Sequence, residues 1–130
     1  MSAAIDASAL LALLFGEPGA EAVAEAIAGG AAVSTVNLAE VATVLVRHGQ
    51  DPAVILGPVC QQLVVEPFSD ADALAAAGLY PRTSSKGLSL GDRACLALAR
   101  RLAGPAVTAE HAWAELDLGI EVSLIRPRLT

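Results

Sequence analysis

The sequence predicts an α/β domain with a mainly parallel central sheet of four to five strands and helices on both faces. Short apolar segments alternate with longer helix-like segments along the whole chain, which is the pattern of strand–helix–strand units. The short segments are apolar throughout, as expected for strands covered on both faces. A length of 130 residues is typical of one domain, so we expect residues 1–130 to form a single unit.

The elements follow one another in a regular order. The predicted strands are residues 3–5, 31–34, 63–66, 106–108 and 120–124. The predicted helices are residues 8–15, 20–28, 37–47, 52–62, 70–79, 89–102 and 112–116. The polar segment 81–87, PRTSSKG, is predicted to be a loop.

Capping residues set the helix boundaries. A glycine pair that begins at Gly29 ends the second helix, and Arg47 lies in the last turn of the third, where a cation suits the helix dipole. Asp51 precedes a proline and caps the fourth helix. Ser69, or the aspartate after it, caps the fifth, and Ser89 begins the sixth.

The composition excludes several classes of protein. The net charge is −6 and no Lys or Arg precedes Arg47, so the broad basic surface of many nucleic-acid-binding domains is missing. No apolar run of about 20 residues and no signal-peptide pattern occur, so we expect a cytoplasmic protein without membrane contact. Cys60 and Cys95 lie in apolar helical segments, and we expect both to be reduced packing residues.

Two carboxylates directly follow predicted strands. Asp6 comes after the first strand and Glu110 after the fourth, so both belong at the carboxyl edge of a parallel sheet, where ligands bind. Asp117 lies a short distance further on and is a possible additional member. Asp6 has an alternative role, because an aspartate at this position often caps the next helix.

Two further carboxylates lie on predicted helices. Glu40 occurs in LAEVATVLV, a segment that is apolar nearly all round, and no Lys or Arg lies three or four residues away to pair with it. The alternative is that Glu40 points along the rim into water. Asp92 lies three residues after Ser89, which is also the spacing of a capping box, so its alternative role is to begin the helix.

Carboxylates gathered at one end of a sheet repel each other unless a cation lies among them. Oxygen ligands without a Cys or His cluster favour Mg²⁺ or Mn²⁺ over zinc. Such an ion lowers the pKa of a bound water and stabilises charge on phosphate oxygens. The sequence therefore predicts phosphodiester hydrolysis, with Asp6, Glu40, Asp92 and Glu110 as the metal-binding and catalytic residues.

Four segments carry a family resemblance: IDASALLALL, STVNLAEV, LSLGDRACLALA and AVTAEHAWAEL. In order and spacing they resemble the four motifs of PIN-domain ribonucleases, particularly the VapC-type toxins of toxin–antitoxin pairs. The resemblance implies that Asp6, Glu40 and Asp92 bind the metal. It also implies that polar residues lie beside the site and bind the substrate, namely Ser8, Thr35 and Asn37.

The fourth motif departs from the family pattern. Where the family usually has T-A-D, this chain has T-A-E, which ends at Glu110. The added methylene moves the carboxylate by roughly 1.5 Å, so Glu110 is expected to bind the ion through a water or to leave this role to Asp117. Activity weaker than the family norm is a further consequence.

The resemblance implies an endoribonuclease that uses Mg²⁺ or Mn²⁺, cuts transfer or ribosomal RNA and leaves a 5′-phosphate. It also implies a VapB-type antitoxin with a basic C-terminal segment, and a homodimer. Arg82, Lys86 and Arg93 are candidate contacts to RNA phosphates, although charges that only solubilise a loop explain them equally well. His48 and His111 are expected to be surface or structural residues.

Two other functions are compatible with the pattern. A receiver-type phosphoacceptor domain is also a small parallel α/β fold with an acidic edge, but it requires paired acids after the first strand and a lysine after a late one. Here Asp6 stands alone, and the lysine, Lys86, lies in a different segment. The second alternative is a PIN fold that serves as a binding module, with catalysis impaired by Glu110.

Overall fold

The computed structural model describes residues 2–128, which fold around a parallel sheet of five strands. The strands are β1 (Ala4–Ile5), β2 (Ala32–Ser34), β3 (Val64–Glu66), β4 (Ala106–Thr108) and β5 (Val122–Leu124). Their order across the sheet is β3-β2-β1-β4-β5, so β1 lies at the centre. The predicted fold class is confirmed.

Seven α-helices connect these strands within the described residues. They are α1 (Ala7–Phe15), α2 (Ala20–Ala28), α3 (Thr35–Arg47), α4 (Pro52–Cys60), α5 (Asp70–Gly78), α6 (Tyr80–Thr83) and α7 (Leu90–Leu102). Two short 3-10 helices, Ser84–Lys86 and His111–Glu115, follow α6 and β4.

The two faces of the sheet pack against different helices. Ile5 and Val33 point into a core formed with α1 to α4, whereas Ala4 and Ala32 point into a second core formed with α5 and α7. The small alanine side chains let α7 lie close to the sheet, where the Cys95 Sγ is 3.6 Å from the Ala4 carbonyl oxygen. Helices cover both faces, as the sequence predicts.

Side-chain caps begin most of the long helices. Those of α1, α3, α4, α5 and α7 are Asp6, Ser34, Asp51, Ser69 and Ser89, and each accepts a hydrogen bond from a backbone N–H in the first turn. Because Ser34 is the cap of α3, this helix begins at Thr35, two residues before the predicted start at Asn37.

The prediction that residues 81–87 form a loop is wrong. This segment contains most of α6 and the 3-10 helix Ser84–Lys86. Pro81 fits the first turn of a helix, where its missing N–H costs nothing. The buried Thr83 hydroxyl donates to the Leu79 carbonyl at 2.9 Å. The helix predicted over residues 112–116 is instead the 3-10 helix His111–Glu115.

No single helix of residues 2–128 has both the length and the apolar composition needed to cross a membrane. Only α1 and α2 taken together, across a bend of 111°, reach that length and composition. Both cysteines are free, with Cys95 buried and Cys60 partly buried, which agrees with the prediction of reduced packing residues.

Candidate metal centre

The carboxyl ends of the central strands meet at one edge of the sheet. β1 pairs with β2 on one side and with β4 on the other, and Ile5 lies opposite Val107. Asp6, the residue that follows β1, therefore lies beside the end of β4 and next to Thr108. β2 leads directly into α3 at the same edge.

Asp6 is buried, with 2% of its surface exposed, and its carboxylate is surrounded by hydrogen-bond donors. The Thr108 hydroxyl donates to Oδ2 at 2.6 Å, and the Ala9 backbone N–H donates to Oδ1 at 2.8 Å. The Ser8 Oγ lies 2.8 and 2.9 Å from the two carboxylate oxygens. Asp6 thus has the predicted capping role and a place in the acidic cluster at the same time.

Burial raises the pKa of Asp6 from 3.8 to about 6, because desolvation disfavours the charged form. The hydrogen bonds from Thr108, Ala9 and Ser8 lower this pKa and offset part of the effect, while the negative charge of Asp92 raises it further. Hydrogen-bond donors thus favour the ionised carboxylate, but among residues 2–128 no Lys, Arg or His forms an ion pair with it.

Glu40 is held in place by Asn37, and its carboxylate lies against the start of α7. The Asn37 Nδ2 donates to the Glu40 Oε1 at 2.8 Å and to the Gly91 carbonyl at 3.0 Å. A Cβ built on Gly91 would overlap the Glu40 carboxylate, so glycine at position 91 lets this carboxylate lie directly against the backbone of α7. Glu40 is half-buried and faces the first turn of α7, not the solvent rim.

Asp92 completes a capping box at the start of α7. Its carboxylate accepts a hydrogen bond from the Ser89 backbone N–H at 2.9 Å, and the Ser89 hydroxyl accepts one from the Asp92 N–H at 3.2 Å. The alternative role of Asp92 as a capping residue is therefore real. It does not remove Asp92 from the cluster, because its charge acts on Asp6.

Cys95 is close to all three acids. Burial raises the pKa of its thiol well above the usual value, and the negative charges of Asp6, Asp92 and Glu40 raise it further. Cys95 lies one helical turn after Asp92 on α7 and packs against β1. Asp6 after β1, Glu40 on α3 and Asp92 on α7 are therefore all near enough to Cys95 for their charges to act on its thiol.

A cation suits this cluster by charge and by ligand chemistry. The ion pairs found within residues 2–128 include none of Asp6, Glu40 and Asp92. Near them the Asn37 Oδ1 is buried without a hydrogen-bond partner. Within the same residues, however, no group of three His, Cys, Asp or Glu side chains is close enough to hold an ion. The acids converge, but their oxygens are not arranged as a closed ligand shell.

Glu110 differs from the three acids in its exposure. It is exposed, follows β4, and is tied through its backbone N–H to the Thr108 hydroxyl at 2.9 Å. Asp117 is also exposed. The structure thus brings Asp6, Glu40 and Asp92 together and leaves Glu110 and Asp117 at the solvent-exposed rim.

The polar residues predicted beside the site make contacts within the protein. The Ser8 Oγ accepts from the Ala109 N–H at 3.0 Å, in addition to its contact with Asp6. The Thr35 hydroxyl accepts from the Phe68 N–H at 3.0 Å. Asn37 is 1% exposed. Asn37 is thus buried beneath the site, whereas Ser8 and Thr35 are half-buried.

The three basic residues predicted to contact RNA differ in how strongly their side chains are engaged by other residues. Lys86 and Arg82 are exposed, and Lys86 lies 3.6 Å from Glu115. The Arg93 guanidinium instead donates to the Ala76 carbonyl at 3.0 Å and lies 5.4 Å from the centre of the Tyr80 ring. It therefore ties α7 to α5 and α6.

The histidines lie at element ends. The exposed His48 follows α3 and packs against Phe15, with ring centres 5.4 Å apart. His111 begins the second 3-10 helix.

Two residues that shape the cluster, Thr108 and Gly91, were not identified as site residues from the sequence. Thr108 is the last residue of β4 and lies level with Asp6, the residue after β1. A polar residue at this position of the neighbouring strand is the signal that could have identified Thr108. Gly91 precedes Asp92 within the first turn of a helix, where glycine is unfavourable. Such a glycine indicates a close neighbour, which here is Glu40.

The site and the fold define a class of α/β domain with an acidic cluster at the carboxyl edge of a parallel sheet. The sequence model of the PIN domain family matches residues 3–118. The chain therefore belongs to the PIN domain family. This assignment decides against the receiver-type alternative. No curated protein sequence matches the chain significantly.

Solved structures similar to this chain come from toxin–antitoxin complexes. One is from a complex of Klebsiella pneumoniae, with TM-score 0.75, 21% identity, and 96% of this chain and 98% of that chain covered. Another is from VapBC2 of Rickettsia felis bound to a promoter DNA fragment, with TM-score 0.77, 15% identity, and coverage of 95% and 98%. A third is from VapBC-5 of Mycobacterium tuberculosis, with TM-score 0.63, 24% identity, and coverage of 98% and 100%.

Proposed function

We propose that this PIN domain is a metal-dependent endoribonuclease that acts as the VapC-type toxin of a toxin–antitoxin pair. The observation that carries the proposal is the convergence of Asp6, Glu40 and Asp92 at one edge of the sheet, without an ion pair to any of them within residues 2–128. Like charges held this closely are stabilised by a bound cation.

Asp6, Glu40 and Asp92 would hold Mg²⁺ or Mn²⁺ through carboxylate oxygens, with Glu110 contributing from the rim through a water. When bound, such an ion supplies an activated water and charge stabilisation on the scissile phosphate. The residues of the chain hold the acids in place: Ser8 and Thr108 donate to Asp6, and Asn37 donates to Glu40.

The proposed substrate is structured RNA of the transfer or ribosomal class, cut to leave a 5′-phosphate. Arg82 and Lys86 are exposed on the segment that leads to α7, and we assign them contacts to phosphates that flank the cut. Arg93 is assigned a lesser role, because its guanidinium is engaged by Ala76 and Tyr80.

The proposed partner is a VapB-type antitoxin whose basic segment covers the acidic edge. A groove of about 470 Å³ starts at Ser8, beside Asp6, and continues over Leu11 and Phe15 to Arg126. Its position next to the cluster and its apolar wall suit a peptide that ends in a basic side chain at the acids. The solved complexes similar to this chain come from such pairs. A homodimer is part of the same proposal.

The decisive experiment measures cleavage of transfer and ribosomal RNA by the purified protein with Mn²⁺, with Mg²⁺ and with EDTA. We expect cleavage with either metal, none with EDTA, and none with Asp6→Asn. Mn²⁺ should also raise the melting temperature of the wild type more than that of Glu40→Gln, because a ligand stabilises only the state that binds it. Cleavage that persists in EDTA would contradict the proposal.

A second candidate is a PIN fold that binds RNA or a protein without cutting. Two observations favour it: Glu110 is exposed, and no closed set of three ligands is formed within residues 2–128. This candidate predicts that the wild type binds RNA equally well with and without Mn²⁺ and cuts none of it, and that Asp92→Asn leaves the affinity for RNA unchanged.

A further inference from the structure

The amide of Asn37 occupies an unusual position between α3 and α7. Its Nδ2 contacts two acceptors, the Glu40 Oε1 at 2.8 Å and the Gly91 carbonyl at 3.0 Å. Within the described part of the chain its Oδ1 has no hydrogen-bond partner, although the side chain is 1% exposed. One end of the amide is therefore doubly engaged and the other end is buried without a partner.

The orientation of this amide is fixed by Glu40. If the amide were turned over, the Oδ1 would face the carboxylate of Glu40 and the carbonyl of Gly91, which are both acceptors only. The observed orientation avoids this repulsion and leaves the Oδ1 unpaired, an arrangement that costs stability because a buried acceptor has lost its hydration. A residue chosen for packing alone would not carry this cost.

Gly91 also helps to position the Glu40 carboxylate. Because a Cβ at this position would overlap the Glu40 carboxylate, the carboxylate lies directly against the backbone of α7. Asp92 is the next residue. The contact of Asn37 with the Gly91 carbonyl therefore fixes Glu40 relative to the residue that carries the neighbouring acid.

We propose that Asn37 is a positioning residue, which holds the Glu40 carboxylate against the first turn of α7 so that Glu40 and Asp92 are presented together to a divalent cation. This inference rests on the proposed function. It replaces the expectation that Asn37 contacts substrate, since a side chain buried to this extent does not reach RNA.

The test uses Asn37→Leu, which keeps the approximate volume of the side chain and removes both polar ends. Manganese affinity is measured by titration calorimetry, and stability is measured by denaturant unfolding in EDTA. We expect the dissociation constant for Mn²⁺ to rise by about 10- to 100-fold, the effect typical of residues that orient metal ligands. The unfolding midpoint should change little, because removal of the unpaired Oδ1 offsets the loss of the two hydrogen bonds from Nδ2. Loss of stability together with unchanged Mn²⁺ affinity would overturn the inference.

Thr43→Val is the matched control. It is also a polar-to-apolar change of similar volume on α3, and the Thr43 hydroxyl is exposed, donating only to the Ala39 carbonyl of its own helix. It should leave the Mn²⁺ affinity unchanged. An equal loss of affinity in Thr43→Val would show that α3 responds to any substitution and would overturn the role of Asn37.

A second measurement uses the metal-free protein and does not depend on whether Asn37→Leu folds. The side-chain amide signals of Asn37 in an NMR spectrum should shift when Glu40→Gln weakens their acceptor, and they should not shift in Thr43→Val. Unshifted signals in Glu40→Gln would overturn the inference and leave the proposed function intact. A wild type that binds no Mn²⁺ would overturn both, even with the amide signals shifted as expected.

Discussion

Two Ser-x-x-Asp segments, residues 69–72 and 89–92, begin helices with the same pair of hydrogen bonds but end in opposite electrostatic surroundings. Both form capping boxes, at the start of α5 and of α7. Asp72 also accepts from the Arg101 Nε at 3.1 Å. Within residues 2–128 Asp92 has no ion pair, and its charge instead acts on Asp6 and Cys95.

The difference lies in the distant partner and not in the local motif. Burial opposes the ionisation of Asp72, but hydrogen bonds from Ser69 and the Arg101 guanidinium outweigh it and lower the pKa of this carboxyl. The charge of Asp92 instead acts on another acid, Asp6, and raises its pKa. One capping aspartate therefore stabilises the fold, and the other adds to a concentration of negative charge that only a bound cation relieves.

The largest expected effect separates the two aspartates by activity. Asp92→Asn should lower RNA cleavage in Mn²⁺ by about 100-fold or more, the scale on which loss of a catalytic carboxylate acts. Asp72→Asn should keep cleavage close to wild type at a temperature where both variants are folded. Initial rates on the same RNA check this, and equal losses in the two variants would erase the functional difference between the boxes.

The second effect concerns the stability of the metal-free protein. The pKa of Asp6 rises on folding from 3.8 to about 6, so the folded state binds more protons between these values and stability falls as the pH rises through them. At pH 7.5 Asp6→Asn should therefore be more stable than the wild type, by at most about 3 kcal/mol for a shift of about two units. Urea unfolding in EDTA measures the difference, which should shrink toward pH 4.

The third effect has the opposite sign. Because the pKa of Asp72 is lowered on folding, its ionised form stabilises the protein above the unfolded value of 3.8, and this contribution is lost as the pH falls below it. Asp72→Asn should cost about 1 kcal/mol near neutral pH. The same urea titrations apply, and an Asp72→Asn variant as stable as the wild type at pH 7 would show that the Arg101 pair contributes nothing.

The smallest effect is expected at the rim. Glu110 is exposed at the rim, so Glu110→Gln should lower cleavage by less than about 10-fold, below the loss that follows removal of a catalytic carboxylate. Cleavage rates at several Mn²⁺ concentrations check this. A loss as large as that of Asp92→Asn would make Glu110 a full member of the site.

Much of the fold follows from local signals in the sequence. Uniformly apolar segments identify the strands, and Asp51, Ser69 and Ser89 mark helix starts that the structure confirms. The segment 81–87 was mispredicted because its composition is that of a loop. Its helical turns depend on the buried Thr83, whose burial is set by the surrounding tertiary structure.

The residues of the site also fall into those that the local sequence identifies and those that depend on tertiary contacts. Asp6 and Glu40 are recognisable because each lies in an apolar segment without a local cation. The roles of Asn37 and Gly91 depend on the contact between α3 and α7, which joins residues 54 positions apart. Local sequence patterns do not contain such contacts, so the sequence identified the acids and placed Asn37 beside the site, but it gave neither the contact of Asn37 with Glu40 nor a role for Gly91.

The hydrogen bond between Thr108 and Asp6 joins residues 102 positions apart. Because the central strand gains its neighbour β4 only after α7 has been synthesised, a chain still on the ribosome that ends before this helix contains Asp6 and Glu40 but neither Asp92 nor Thr108. Translation must therefore be nearly finished before all the acids and their supporting donors are present, and a truncated product would lack the assembled centre.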